Sequence, residues 1–537
     1  MNKPIPNISN LISYEKVFHE KAPKEPRQKI IELLEEISFN EAIYYCCKIN
    51  TLLTNVQYVN YETGITDLIG IAKDHPYWEY YSTNVSNVHN KLQTYALMPY
   101  ILSYCIKNDA ISFHKHPQLR INFLKALILA GDEWVLNAFE NDYDYLSDEE
   151  IALTAHKEGQ ILCGSKDFID SFAYSIKMYL EYIKVDWPDF NDLFIKTYGI
   201  TPKEFISGCL FILVNLINKT GLNILPVVGE YDNAHIVKNL LNIKSIDIEK
   251  LKNFKGDIRK LFLNTPIISD FYDEIEVCTI FDPVKYFESI EAGFIFDISK
   301  KCSLRVQTII GYFGKAFERY VTDKLNGIHN KNQQEKFITE TELIEILNVQ
   351  MEKVADGYIG FGKTGIVIEI KSNFVNDNSL DNAEAYAKCL EENYRNACKQ
   401  IVSTIERIEA CNGSMFNEVQ RIIPLLIVRD NLLCTINSQQ LIVRMFSKIM
   451  RSEKLSIEAL PLIIMTSEEF ERLIGNEHVD WLSFLMKYDE VDKYRQSSLY
   501  SFMRHHYRVF DIVRNKQNKS IILKMVSEAK ALFERAK

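Results

Sequence analysis

Through about residue 230, apolar side chains return every three or four positions, the spacing that gathers them on one face of a helix. Ile30-Ile-Glu-Leu-Leu-Glu-Glu-Ile37, Leu119 to Ala138 and Phe168 to Ile183 all keep this period. Breaks are expected at Asp74-His-Pro76, Lys115-His-Pro117, Trp187-Pro188 and Thr201-Pro202. Thr201-Pro202-Lys-Glu204 has the form of an N-cap followed by proline at the first helical position. It leads into the longest apolar stretch, Phe205 to Ile217, which Ser207, Gly208 and Asn215 interrupt. That stretch is shorter than the ~20 residues a membrane span requires, so it predicts a buried helix. No fixed-period repeat is visible.

The pattern changes near residue 230. Val227-Val-Gly-Glu-Tyr-Asp232 is turn-like, and Glu274-Ile-Glu-Val-Cys-Thr-Ile-Phe281 predicts a strand running into Asp282-Pro283. Beyond residue 300 a helix is followed by a β-hairpin, a long helix and then strand–helix units. That order predicts an α/β domain whose sheet is covered by helices. The chain therefore divides into a helical domain over 1–230, a connector with some sheet over 231–300, an α/β domain over 301–480 and a helical segment over 481–537.

Composition adds limits. With 537 residues, 47% hydrophobic and 25% charged, the chain has the make-up of a soluble globular protein and not of a disordered or fibrous one. The N-terminus lacks a signal-peptide layout, so a cytoplasmic location and no membrane association are expected. The 11 cysteines are scattered without C-x-x-C spacing, which fits buried small hydrophobes better than zinc ligands or a disulfide framework. His114-Lys-His116 is a local histidine pair, and no Cys or carboxylate accompanies it at ligand spacing. No G-x-x-x-x-G-K-[ST] loop is present. Net charge is −10, yet residues 487–537 hold 12 Lys/Arg against 6 Asp/Glu. The +6 of this segment permits a local phosphate contact on an otherwise acidic chain, or simply a solvated terminal helix.

The most informative stretch is Ala355-Asp356-Gly-Tyr-Ile-Gly-Phe-Gly-Lys-Thr-Gly365-Ile-Val-Ile-Glu369-Ile-Lys371. Ile366 to Lys371 is β-branched and alternating, which predicts a strand. A period of two puts Glu369 and Lys371 on one face with Val367, while Ile366, Ile368 and Ile370 turn into a core. Gly360, Gly362 and Gly365 allow the chain to reverse, which brings Asp356 back beside Glu369 and Lys371. Two carboxylates suit a hard divalent cation, which prefers oxygen ligands, and a lysine adds positive charge where phosphate charge builds. The same residues also admit a plainer reading, with Asp356 as a turn residue and Glu369–Lys371 as an exposed pair. Glu528-Ala-Lys530 repeats the E-x-K pattern in a helix, where residues two apart do not share a face.

Two flanking helices extend the pattern. Upstream, Gly314-Lys-Ala-Phe317-Glu318 lies in a helix with Ile310, Phe313, Phe317, Val321 and Leu325 as its apolar stripe, and Glu318 falls at the stripe's edge. Downstream, Tyr394, Cys398, Ile401, Ile405 and Ile408 mark a long helix carrying Lys399-Gln400. The succession helix Gly-x-x-Phe-Glu, hairpin Asp…Glu-x-Lys, helix Lys-Gln over about residues 300–475 resembles the PD-(D/E)xK, or restriction-endonuclease-like, nuclease superfamily. Arg421-Ile-Ile-Pro-Leu-Leu-Ile-Val428 and Ala459-Leu-Pro-Leu-Ile-Ile-Met465 would supply further strands. Ala355 stands where the superfamily's signature often has Pro.

The resemblance implies a restriction-endonuclease-like domain with a mixed central sheet flanked by helices. It implies that Glu318, Asp356 and Glu369 hold Mg²⁺ or Mn²⁺, that Lys371 positions the attacking water, and that Gln400 supports the site. The expected activity is metal-dependent cleavage of DNA, with RNA as the other substrate candidate, in anti-phage defence or DNA processing. The helical N-terminal domain would then serve sensing, homo-oligomerisation or partner binding. Lys388, Arg395, Lys399 and Arg407 on the long helix are the expected phosphate-tracking residues. Competing expectations are a degenerate nuclease fold that only binds nucleic acid or protein, and a helical scaffold whose α/β part is structural.

Overall fold

The computed structural model describes residues 18, 21–54, 91–106, 117–138, 151, 168–218, 225–226, 233–272, 275–329, 337–349, 354–373, 382–411, 416–429, 436–451, 455–473, 480–491, 499–506 and 516–533. His114, His116, the stretch 227–232 and part of the basic C-terminal segment lie outside them. The chain divides into two compact units, each discontinuous in sequence. One comprises 1–142, 192–302 and 523–537, and the other 143–191 and 303–522. The boundary expected at 300 lies beside the break at 302/303, whereas 230 and 480 mark no break between the units, because tertiary packing joins segments remote in sequence.

The first unit combines helices with a four-stranded sheet. Its helices Pro26–Leu34, Phe39–Thr54, Lys91–Tyr104 and Pro117–Ala138 enclose a core containing Ile30, Leu34, Phe39, Ile43, Phe123 and Leu127. Residues 231–300 are not a connector. Ile248, Leu251, Phe262, Ile268 and Phe281 are buried in that same core, and the Phe262 and Phe281 rings stack at 3.9 Å. The strand expected at Glu274–Phe281 is Ile275–Ile280, paired antiparallel with Ile267–Tyr272.

Thr201 caps the helix Pro202–Asn218 in a reciprocal box. Glu204 N–H donates to Thr201 Oγ1 at 3.2 Å, and Thr201 N–H donates to the Glu204 carboxylate at 2.8 Å. Phe205, Ile206, Leu210, Ile212 and Leu213 are buried, as expected of a core helix. Among the described residues no single helix is long and apolar enough to cross a membrane. Phe190–Tyr198 and Pro202–Leu216 pass that test only as a pair bent by 49°.

The second unit is built on a mixed six-stranded sheet. Its elements in chain order are α1 (Val306–His329), β1 (Phe337–Thr339), α2 (Glu340–Leu347), β2 (Gly357–Phe361), β3 (Thr364–Lys371) and α3 (Ala383–Ala410). They are followed by β4 (Arg421–Val428), α4 (Ile436–Met450), β5 (Glu458–Ala459), β6 (Ile463–Thr466) and α5 (Ser467–Leu473). The strand order is β6-β4-β3-β2-β1, with β5 also on β4. β2 runs antiparallel to both β1 and β3, and β4 runs parallel to β3, β5 and β6. An α-helical domain followed by an α/β domain thus describes the chain coarsely, with the difference that the first unit has a sheet of its own.

The β3 strand forms where the alternation predicted it, and the hairpin closes at Gly362, whose φ of +61° suits glycine. Both faces of β3 are covered, so Glu369 is fully buried and not part of an exposed surface pair. The α3 stripe Tyr394, Cys398, Ile401, Ile405 and Ile408 packs in one core with Val367 and Leu426. On α1 the stripe begins at buried Ile309, while Ile310 is half-buried. Proline inside a central strand normally removes a ladder bond. Pro424 is tolerated because β5 leaves β4 after Ala459 and β6 joins it only at Ile463, so no donor is required at that level.

Candidate metal centre

The register of three strands fixes the site. Thr339 pairs with Gly357, and Gly357 with Ile368. Continuing both ladders by one residue places Asp356 between Glu340, at the end of β1, and Glu369, on β3. Three neighbouring strand ends thus carry a carboxylate at one level. A fourth comes from α1, which passes close to the end of β3 because Gly314 has no side chain. A Cβ there would stand 2.8 Å from Ser372 Oγ. One helical turn further on, Glu318 reaches the same corner.

Carboxylate oxygens of Glu318, Glu340 and Asp356 all lie within 4.8 Å of one another. Asp356 Oδ2 accepts a 2.6 Å hydrogen bond from the backbone N–H of Ile370, which fixes its orientation. Lys371 Nζ forms an ion pair with Glu369 Oε1. Neither Glu369 oxygen accepts a well-aligned hydrogen bond, although both are buried. Of the expected ligands, the structure brings Glu318 and Asp356 into one compact group. Glu369 stands behind it, facing Lys371. The third member of the group is Glu340, which the sequence reading did not single out.

The charges are poorly balanced. Burial, then the neighbouring Asp356 and Glu340 carboxylates, push Glu318 up to about 7. Glu340 is raised by burial and by Asp356, and Asp356 by burial against the opposing pull of Lys371. Glu369 is driven well above the ordinary carboxylate range by burial and by Asp356. For Lys371, burial would lower the value, but Glu369, Asp356 and Glu318 outweigh it and hold the ammonium charged. Four carboxyl groups around one lysine form a pocket whose shortage of positive charge a divalent cation would relieve.

Gln400 does not point at the carboxylates. Its Nε2 donates to the carbonyl of Val354 at 3.3 Å, two residues before Asp356. The expected phosphate-tracking residues are more varied than the sequence suggested. Lys388 lies 3.9 Å from Glu392, and Arg395 is ion-paired with Glu391. Arg407 Nε donates to Ser403 Oγ at 3.2 Å, and Lys399 is exposed. Lys388 and Arg395 border a groove of about 820 Å³ between α3 and α4, floored by Leu390, Ile442 and Met445.

A local signal for Glu340 does exist. Thr339-Glu-Thr-Glu342 is a capping box, with Glu342 N–H donating to Thr339 Oγ1 at 3.4 Å. An acid in a first helical turn ordinarily complements the helix dipole. Only the long-range pairing of β1 with β2 turns Glu340 into a neighbour of Asp356. No family model, curated protein or solved structure matches the chain.

Proposed function

We propose that the protein is a divalent-metal-dependent nuclease that hydrolyses phosphodiester bonds of DNA. The observation that carries this reading is the convergence of Glu318, Glu340 and Asp356 within 4.8 Å, beside the pair of half-buried Lys371 with fully buried Glu369. The element order α1, β2–β3 hairpin, α3 and a mixed sheet supports a restriction-endonuclease-like fold.

The donor set suits Mg²⁺ or Mn²⁺. All ligand atoms are hard carboxylate oxygens, their like charges oppose one another, and the oxygens of fully buried Glu369 accept no well-aligned hydrogen bond beyond the ion pair with Lys371. Glu318, Glu340 and Asp356 would hold the ion, with Glu369 behind them. Such an ion, when bound, lowers the pKa of a coordinated water and offsets charge on the phosphate. The Ile370 N–H keeps Asp356 turned toward its neighbours. Lys371, held charged by the surrounding carboxylates, donates to the attacking water or to a non-bridging phosphate oxygen and so stabilises the added negative charge. Glu369 orients that lysine from the buried side.

The test is incubation of the full chain with circular and linear DNA and RNA, with Mn²⁺ or with EDTA. Cleavage in Mn²⁺ that EDTA stops, and that Asp356→Ala and Lys371→Ala each abolish, is the expected result. Undiminished cutting by both variants would refute the site. Nucleic-acid binding without turnover would instead favour a degenerate fold used as a binding module.

A further inference from the structure

The peptide unit joining Val354 to Ala355, immediately ahead of Asp356, is buried and held at both of its polar ends by α3. Gln400 Nε2 donates to the Val354 carbonyl at 3.3 Å, and the Ala355 N–H donates to Thr404 Oγ1 at 2.7 Å. Among the described residues no peptide bond is cis, so this carbonyl and this N–H point in opposite directions along the bond. Gln400 and Thr404 are four residues apart and therefore lie one above the other on the same helix face. One trans peptide spans the gap between them. The Thr404 hydroxyl proton is committed in turn to the Gln400 carbonyl at 2.8 Å, which leaves the Oγ1 lone pairs facing Ala355. Thr404, Val354 and Ala355 are all fully buried, so water cannot substitute for either bond.

From this geometry we infer that Thr404, acting with Gln400, is a positioning residue that sets where the Asp356 carboxylate stands. The inference rests on the nuclease reading only for its effect on metal, not for its structural content. Beyond the clamped peptide only the Ala355–Asp356 peptide unit intervenes before the Asp356 side chain, whose carboxylate accepts from the Ile370 N–H. Without the clamp, the β2 strand would still pair with β3 from Gly357 onward. The residue just before the ladder, Asp356, would lose its anchor. Thr404 has no route to the substrate, since it lies in the core among Ala355, Ile401 and Ile405.

The experiment compares wild type, Thr404→Val, Thr404→Ser and Asp356→Ala as full chains, with two readouts. The first is residue-resolved amide exchange without metal. The Ile370 N–H is protected by Asp356, so Thr404→Val should accelerate its exchange about tenfold, as Asp356→Ala does, while Ile366 and Ile368 in the same strand stay unchanged. Thr404→Ser, which keeps the hydroxyl, should match wild type. The second is calorimetric titration with Mn²⁺ alone. There Thr404→Val should bind about tenfold more weakly and Thr404→Ser normally, the loss typical of residues that hold ligands from behind. Wild-type exchange at Ile370 in Thr404→Val, or equal acceleration in Thr404→Ser, overturns the proposal. Absence of Mn²⁺ binding by wild type would refute the metal reading, while the exchange data would still decide the clamp.

Discussion

Each of the two units pairs a lysine with a carboxylate, and the two sites are built to opposite rules. In the first unit Lys244 is ion-paired with Asp297, and Tyr198 Oη donates to the same carboxylate oxygen at 2.5 Å. One cation, one anion and one neutral donor close a network that needs nothing more. In the second unit Lys371 meets Glu369, but Asp356, Glu340 and Glu318 crowd the same corner, and burial raises all four carboxyl groups. A buried pair that exists for stability is neutral and satisfied. A partly buried cluster with surplus carboxylates works against stability unless something positive arrives, which is the signature of a site.

The sharpest way to break this contrast is kinetic. Lys371→Ala and Asp356→Ala should each lower Mn²⁺-dependent DNA cleavage by about a thousandfold, measured as initial rates on a supercoiled plasmid. The matching change in the closed network, Asp297→Asn, should leave the rate per folded molecule unaltered. Stability should show the reverse. Asp297→Asn should cost about 3 kcal/mol in denaturant unfolding, since it leaves Lys244 buried without its counter-charge. Asp356→Asn should leave the metal-free protein as stable as wild type or more so, because it removes a like charge.

How much of this contrast the sequence announces depends on the distance over which it is written. The Asp356, Glu369 and Lys371 arrangement is legible because one glycine-containing hairpin brings the three together and alternation assigns their faces. Glu318 is legible as the polar edge of an amphipathic stripe, although that stripe starts at Ile309 and not Ile310. Glu340 is hidden because its own neighbourhood explains it fully as a first-turn acid. Only the pairing of β1 with β2 across residues 339–357 gives it a second role. Gln400 is legible as a residue that matters but not for what it does, since its bond to a backbone carbonyl has no sequence signature. The interleaving of the units is invisible locally for the same reason. Burial of Ile248, Leu251, Phe262, Ile268 and Phe281 in the core of the first unit is a tertiary fact.

Smaller effects refine the comparison. Mn²⁺ at a hundred times its dissociation constant should raise stability by about 2.7 kcal/mol, read as a shift in the unfolding midpoint that EDTA reverses. Asp356→Ala should lose that shift. Dependence on pH follows from the raised carboxyl groups. Glu318 titrates near 7 in the folded chain against an ordinary value of 4.5, so the folded state binds the extra proton between those values. Stability of the metal-free protein should therefore decline as pH rises from about 4.5 to 7, and Glu318→Gln should make the decline shallower. Mn²⁺ affinity should rise over the same interval, because ligands must shed their protons to bind. The smallest effect concerns α3. Lys399→Ala should reduce the salt dependence of DNA binding by about one unit of slope, whereas Lys388→Ala, whose charge faces Glu392, should change it less.

The central claim is that a cation belongs among Glu318, Glu340 and Asp356. Anomalous diffraction from crystals grown with Mn²⁺ tests it directly. The account predicts a manganese peak within bonding distance of those three carboxylates, present in wild type and absent in Asp356→Ala. A peak elsewhere, or none at saturating Mn²⁺, would contradict it.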